Sequence, residues 1–186
     1  MQPLMQPLPG FNFRVFFSPP APESAALDAG DALAGAAGLG AATVGSANGV
    51  GFAEVSGINS ELELEDYREG GRNLGPRRFP KWGRFPNLVL RRGVTDSTFL
   101  WDWWSDVITH SYTLTTTKAP PRRNGVILLE GLDHKTVAGW FFANALPERL
   151  VGPGLNARGN EVAIETLELS HEGLLRLPVA NLPASA

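Results

Sequence analysis

Apolar and polar positions alternate along most of this chain, and the alternation predicts strands. Residues 11–17, FNFRVFF, are aromatic and β-branched and read as a first strand, stopped by Pro19, Pro20 and Pro22. Residues 51–69 return to strand character, and within them Glu61-Leu62-Glu63-Leu64-Glu65 alternates strictly. On a strand this sets three carboxylates on one face and two leucines on the other. Residues 87–93 form a further short strand, and 125–132, 136–145 and 161–170 supply three more. The first two of these three read as a hairpin turning at Asp133, His134 and Lys135.

One stretch has helical spacing instead. Thr95 or Asp96 can cap a helix running to about Ile108. Leu100, Trp104 and Ile108 repeat every four residues and are the predicted packing stripe, flanked by Phe99, Trp103 and Val107. At least one of Trp101 and Trp103 should point away from that stripe. The sum is a mainly β domain, a sandwich or small barrel with one helix at its flank.

Two segments break the pattern. Residues 18–50 are rich in Ala, Gly, Pro and Ser and lack large apolar side chains, so they read as an insertion outside the core. Residues 72–86 read as a long basic and aromatic loop holding Arg72, Arg77, Arg78, Phe79, Trp82 and Phe85. Aromatic side chains gain by burial, so this loop is expected to contact a neighbouring subunit.

Composition narrows the chemistry. The chain has 186 residues, enough for one domain spanning 1–186, and 43% are apolar. Its formal net charge of −3 lacks the basic excess of a dedicated nucleic-acid binder. There are no cysteines, which excludes disulfides, thiol catalysis and Cys-based zinc sites. His110, His134 and His171 lie far apart and form no metal spacing. The N-terminus lacks the basic and apolar regions of a signal peptide, and no apolar run is long enough for a transmembrane span. The expected place of synthesis and assembly is the cytoplasm.

No nucleophile elbow or Walker A sequence occurs, and Gly49-Val50-Gly51 lacks the rest of a dinucleotide loop. Glu61, Glu63 and Glu65 sit about 7 Å apart on one strand face, whereas a glycosidase needs carboxylates facing each other across a sugar. They read as a solvated row. The tryptophans at 101, 103 and 104 admit a carbohydrate-binding alternative, but core packing and a protein contact explain them more simply.

Seven segments in order carry a resemblance. They are Gly51-Phe52-Ala53-Glu54-Val55-Ser56-Gly57, Tyr67-Arg68-Glu69-Gly70-Gly71, Leu90-Arg91-Arg92-Gly93-Val94, Leu100-Trp101-Asp102-Trp103-Trp104, Trp140 with Asn144-Ala145-Leu146-Pro147, Gly154-Leu155-Asn156-Ala157, and Asn160 to Leu169. Together they resemble the tail-tube proteins of contractile phages and extracellular contractile injection systems. The resemblance implies two packed antiparallel sheets with a flanking helix. It also implies a structural, non-enzymatic subunit without cofactors, six of which close a ring that stacks into the inner tube. The implied partners are other copies, a sheath protein, baseplate or spike proteins and a tail terminator, with cargo or DNA passing through the lumen unbound. On that model Glu61, Glu63 and Glu65 face the lumen. Most of the family turns quickly from the first strand into the next, so the insertion at 18–50 leaves room for a tube-initiator or baseplate-adaptor ring instead of the main repeat.

Overall fold

The computed structural model describes residues 12–20, 49–68, 75–112, 121–133 and 135–177. Among them are β1 (Phe13–Pro20), β2 (Gly49–Val50), β3 (Glu54–Ser56), β4 (Glu61–Tyr67), β5 (Arg77–Arg84) and β6 (Leu88–Gly93). Helix α1 (Phe99–Tyr112) follows, then β7 (Arg123–Glu130), β8 (Thr136–Val151), β9 (Ile164–Ser170) and β10 (Gly173–Leu177). Eight strands join in the order β2-β1-β7-β8-β9-β6-β3, with β10 also on β8, and every pairing is antiparallel. Strands β4 and β5 form a separate two-stranded sheet.

The 16-residue strand β8 makes one sheet into two layers. Its first part pairs with β7 and β10, and its last part, from Leu146 to Val151, pairs with β9. The change falls at Asn144, a non-glycine residue with φ of 51°. Asparagine tolerates this left-handed conformation better than most side chains. Here its N–H donates to Asn124 Oδ1 at 2.8 Å and its Nδ2 to Glu172 Oε2 at 2.9 Å, while Arg122 donates to its carbonyl at 3.1 Å. The strand was expected to end at 145, yet it continues to Val151, and Asn144 marks the bend that carries β8 from one layer to the other.

Alternation places the core between the layers. Val15 and Phe17 from β1, Leu88 and Leu90 from β6, Ile127 from β7, Phe142 from β8 and Leu167 and Leu169 from β9 are buried together. A smaller cluster, including Phe16, Val126, Leu128 and Phe141, comes from the alternate positions of β1, β7 and β8. Gly125 is required in this packing, since a Cβ there would lie 2.2 Å from the Phe142 ring.

Helix α1 covers the main core, but one phase away from the predicted stripe. Leu100, Trp103 and Val107 are buried, whereas Trp104 and Ile108 are only half-buried. Trp103 occupies the core because its polar end is satisfied there. Its Nε1–H donates to the Pro121 carbonyl at 2.7 Å, and its ring meets Phe17 edge-on with centroids 5.5 Å apart. Arg123 lies over Phe99 and Trp103, 5.1 and 5.5 Å from the ring centroids. Burial draws its guanidinium below the ordinary arginine range, and the Asp106 carboxylate opposes this. The helix also starts later than expected, at Phe99, because the Ser97 carbonyl accepts from Arg92 and Thr98 makes the first turn with Asp102.

Of the insertion expected at 18–50, Ser18, Pro19 and Pro20 belong to β1, which runs past the first two prolines expected to stop it because Pro20 still pairs with Arg123 across a register shift. Gly49–Val50 form β2, while residues 21–48 lie outside the described residues. Val15 pairs with Val50 and Phe16 with Gly49, so the segment leaves and rejoins the sheet at one edge. Arg72, His134 and the tail from 178 also lie outside the described residues.

Candidate assembly surfaces

Residues 72–86 were expected to be a loop, yet Arg77–Arg84 form β5 and pair with β4. Pro80 and Gly83 argue against a central strand. They are tolerated here because, among the described residues, β5 pairs with β4 only, in a two-stranded sheet. The register sets Glu61 opposite Arg84, Leu62 opposite Gly83, Leu64 opposite Pro80, Glu65 opposite Phe79 and Tyr67 opposite Arg77.

Every residue of both strands is exposed. The pleat sorts them by chemistry. One face of β4 carries Glu61, Glu63, Glu65 and Tyr67, with Lys81 3.7 Å from Glu63 and the Phe79 ring 6.2 Å from that of Tyr67. The other carries Leu62, Leu64 and Asp66, which pairs with Arg78 at 3.4 Å. The acidic row is thus balanced by the cations of β5. Leu62, Leu64, Tyr67, Phe79 and Trp82 are all about half accessible. An isolated two-stranded hairpin is marginal in water.

The arm's root is fixed firmly. Gly57 has φ of +83°, and a Cβ there would fall 2.1 Å from the Asn87 carbonyl oxygen. Asn87 Nδ2 donates to Glu148 at 2.6 Å. The buried His171 ring sets its nitrogens 3.0 and 3.1 Å from the Gly173 and Pro86 carbonyls, and Phe85 packs on it at 5.7 Å. Phe85, grouped with the contact residues by sequence, is therefore a half-buried part of the root, while Arg77, Arg78, Phe79 and Trp82 belong to the exposed arm.

A second surface was not anticipated. β9 begins at Ile164, so residues 161–163 of the strand expected at 161–170 fall outside it and belong to the segment from 152 to 163 that precedes it. Val94, Trp101, Val151, Leu155, Val162 and Ile164 are exposed there. Trp101 is anchored through Nε1–H to Glu165 Oε2 at 3.0 Å, and Glu165 also pairs with the buried Arg92. Gly152 lies beneath its ring, where a Cβ would approach to 3.6 Å. The sequence signal was available in the phase of Trp101, which puts it off the buried stripe. Among the described residues no helix is long and apolar enough to cross a membrane, and no group of three acidic or histidine side chains could hold a metal.

The fold is thus a mainly β, antiparallel two-layer architecture with one helix on its flank and an exposed two-stranded arm. The family model of the T4-like virus tail tube protein gp19 matches residues 10–175, and the chain belongs to that family. Among solved structures it is similar to a chain of the anti-feeding prophage baseplate, determined with six-fold symmetry, at 25% identity and a TM-score of 0.70 over 95% of this chain and 99% of that one. It shares its fold with a chain of the sheath–tube complex of the PVC extracellular contractile injection system, at 19% identity, TM-score 0.66, covering 94% and 93%. The tube-terminating cap of the anti-feeding prophage is similar at 19% identity, TM-score 0.67, covering 95% of each chain. No curated protein sequence matches the chain.

Proposed function

We propose that the chain is a structural subunit of the inner tube of a contractile tail or injection system, six copies closing a ring and rings stacking around a channel. The observation that carries this is the exposed β4–β5 arm on a chain whose residues 10–175 match the tail-tube family. Open sheet edges and uncovered apolar side chains both call for neighbours. In the ring the face bearing Glu61, Glu63 and Glu65 lines the lumen, and Arg77, Arg78, Phe79 and Trp82 touch adjacent subunits. A wall carrying carboxylates lets nucleic acid or protein cargo pass without specific binding. Sheath, baseplate or spike, and terminator proteins are the further partners, assembly takes place in the cytoplasm, and the role is not enzymatic.

A second reading is favoured by the likeness to a baseplate structure that spans 99% of that chain. In it the chain forms a single initiator or adaptor ring at the tube's end. Native mass spectrometry of the purified chain tests the common part of both readings. The expected species is six chain masses of 20.0 kDa each. Monomer alone at every concentration would contradict it.

A further inference from the structure

We propose that His171 is a proton-operated latch on the root of the β4–β5 arm. The doubly protonated ring clasps the arm's return leg, and loss of one proton loosens it. The use of such a latch rests on the assembly reading above, since a firmer or looser root changes how readily the arm meets a neighbour.

His171 stands in the short link between β9, which ends at Ser170, and β10, which begins at Gly173. There the chain passes from the part of β8 beyond Leu146 to the part that ends at Ala143. The residue is only 7% exposed. Its Nδ1 lies 3.0 Å from the Gly173 carbonyl oxygen, two residues away in sequence. Its Nε2 lies 3.1 Å from the carbonyl oxygen of Pro86, 85 residues away. Pro86 sits between the end of β5 at Arg84 and the start of β6 at Leu88. One ring therefore joins the crossover between layers to the leg on which the arm returns.

Both partners are backbone carbonyls, which only accept. A neutral imidazole has one N–H, and its other nitrogen is itself an acceptor. Only the imidazolium donates to both oxygens. With a neutral ring, one carbonyl faces a nitrogen lone pair in a buried place, where an unmet acceptor is costly. The Gly173 contact closes a short local loop and is cheap to keep. The long-range contact to Pro86 is the one given up.

The charged groups on the surrounding elements are engaged elsewhere. In the same link, Glu172 pairs with Arg122 at 2.8 Å and accepts from Asn144 Nδ2 at 2.9 Å. On β8, Glu148 accepts from Asn87 Nδ2 at 2.6 Å. On β9, Glu168 meets Arg149 at 3.2 Å, and on β5 Arg84 stands opposite Glu61. Neither nitrogen of His171 has a carboxylate partner. Histidine is the side chain whose ordinary change of charge falls between about pH 5 and about pH 8. The latch is closed at the acidic end of that range and opens as pH rises. The Gly57 turn and the Asn87–Glu148 bond remain in either state, so the root loosens without detaching.

The chain has three histidines and no cysteine, so His110→Gln with His134→Gln leaves His171 as the sole histidine. Hydrogen exchange of this full-length variant, below its assembly concentration and corrected for intrinsic exchange, tests the latch. From about pH 5.5 to about pH 8, protection of the Phe85 and Asn87 amides is expected to fall about tenfold relative to the β7 amides. Adding His171→Gln is expected to give the low protection at both pH values, because one amide cannot bridge the two carbonyls. Root protection independent of pH in the chain that keeps His171 would overturn the latch, whether or not the His171→Gln variant folds. An equal fall in the His171→Gln variant would overturn it as well. Light scattering at higher concentration separates the two readings. A chain that stays monomeric at both pH values would overturn the assembly reading and leave the exchange result untouched.

Discussion

The Trp101 indole donates to Glu165 Oε2 at 3.0 Å, which joins the start of the helix to the start of strand β9. The other carboxylate oxygen of Glu165 pairs with Arg92, directly across the strands, with both side chains almost wholly buried. Arg92 in turn donates to the Ser97 carbonyl at 3.1 Å. One carboxylate thus ties sheet, connecting segment and helix together, and it sets the pose of an exposed tryptophan.

Removing that carboxylate leaves a buried guanidinium unpaired. Glu165→Ala is expected to destabilise the monomer by about 3–5 kcal/mol, while the double replacement Arg92→Met with Glu165→Leu recovers most of the loss. Urea denaturation of the three proteins, monitored by tryptophan fluorescence, checks both values. A Glu165→Ala variant as stable as wild type would show that the ion pair is not what holds this corner.

The helix phase gives a second comparison. Trp103→Ala removes a buried ring and is expected to cost about 3–5 kcal/mol. Trp104→Ala removes a half-buried one and should cost clearly less. Thermal melts of the two variants decide the order. Equal losses, or a reversed order, would return the packing stripe to the phase containing Trp104.

Most of the layered fold was legible because its strands alternate and its turns are marked. β1, β6, β7 and β9 lie within a few residues of the expected positions. β5 was not legible. Arg77-Arg78-Phe79-Pro80-Lys81-Trp82-Gly83-Arg84 has no buried face to write an alternation, and its proline and glycine are turn residues anywhere except in a hairpin with one strand edge unpaired. The second half of β8 was hidden for a related reason, since a bend and a strand end draw on the same residue types, and here Asn144 marks a bend. Trp103 and Trp104 are adjacent, and no periodicity separates two neighbouring tryptophans. Tertiary partners, Pro121 and Phe17, made that choice. The row of Glu61, Glu63 and Glu65 was plain in sequence, but its compensation by Lys81 required the register.

Gly57 tests the root of the arm. Its φ of +83° and the 2.1 Å approach of a Cβ to the Asn87 oxygen leave no room for alanine. Gly57→Ala is expected to destabilise the chain by more than the roughly 1 kcal/mol of an ordinary glycine replacement, since the backbone there must shift. Hydrogen exchange should locate the loss at residues 54–61 and 85–90. Unchanged exchange at those amides would contradict a rigid root.

The segment at 21–48 joins two strands that already pair at Val15–Val50 and Phe16–Gly49. Replacing it by a short Gly-Ser turn is therefore expected to leave monomer stability within about 1 kcal/mol, because loop-closure entropy changes slowly with length. Calorimetry measures this apart from assembly. A large loss of melting temperature would place the segment in the core.

The central claim is that copies of this chain build a six-fold tube, or one ring of it, and electron microscopy of the purified full-length protein at increasing concentration addresses it most directly. The account predicts rings of six subunits around an open channel, stacked into tubes if the chain is the main repeat and single if it is an end ring. Monomers throughout, or assemblies without six-fold symmetry and a central channel, would contradict it.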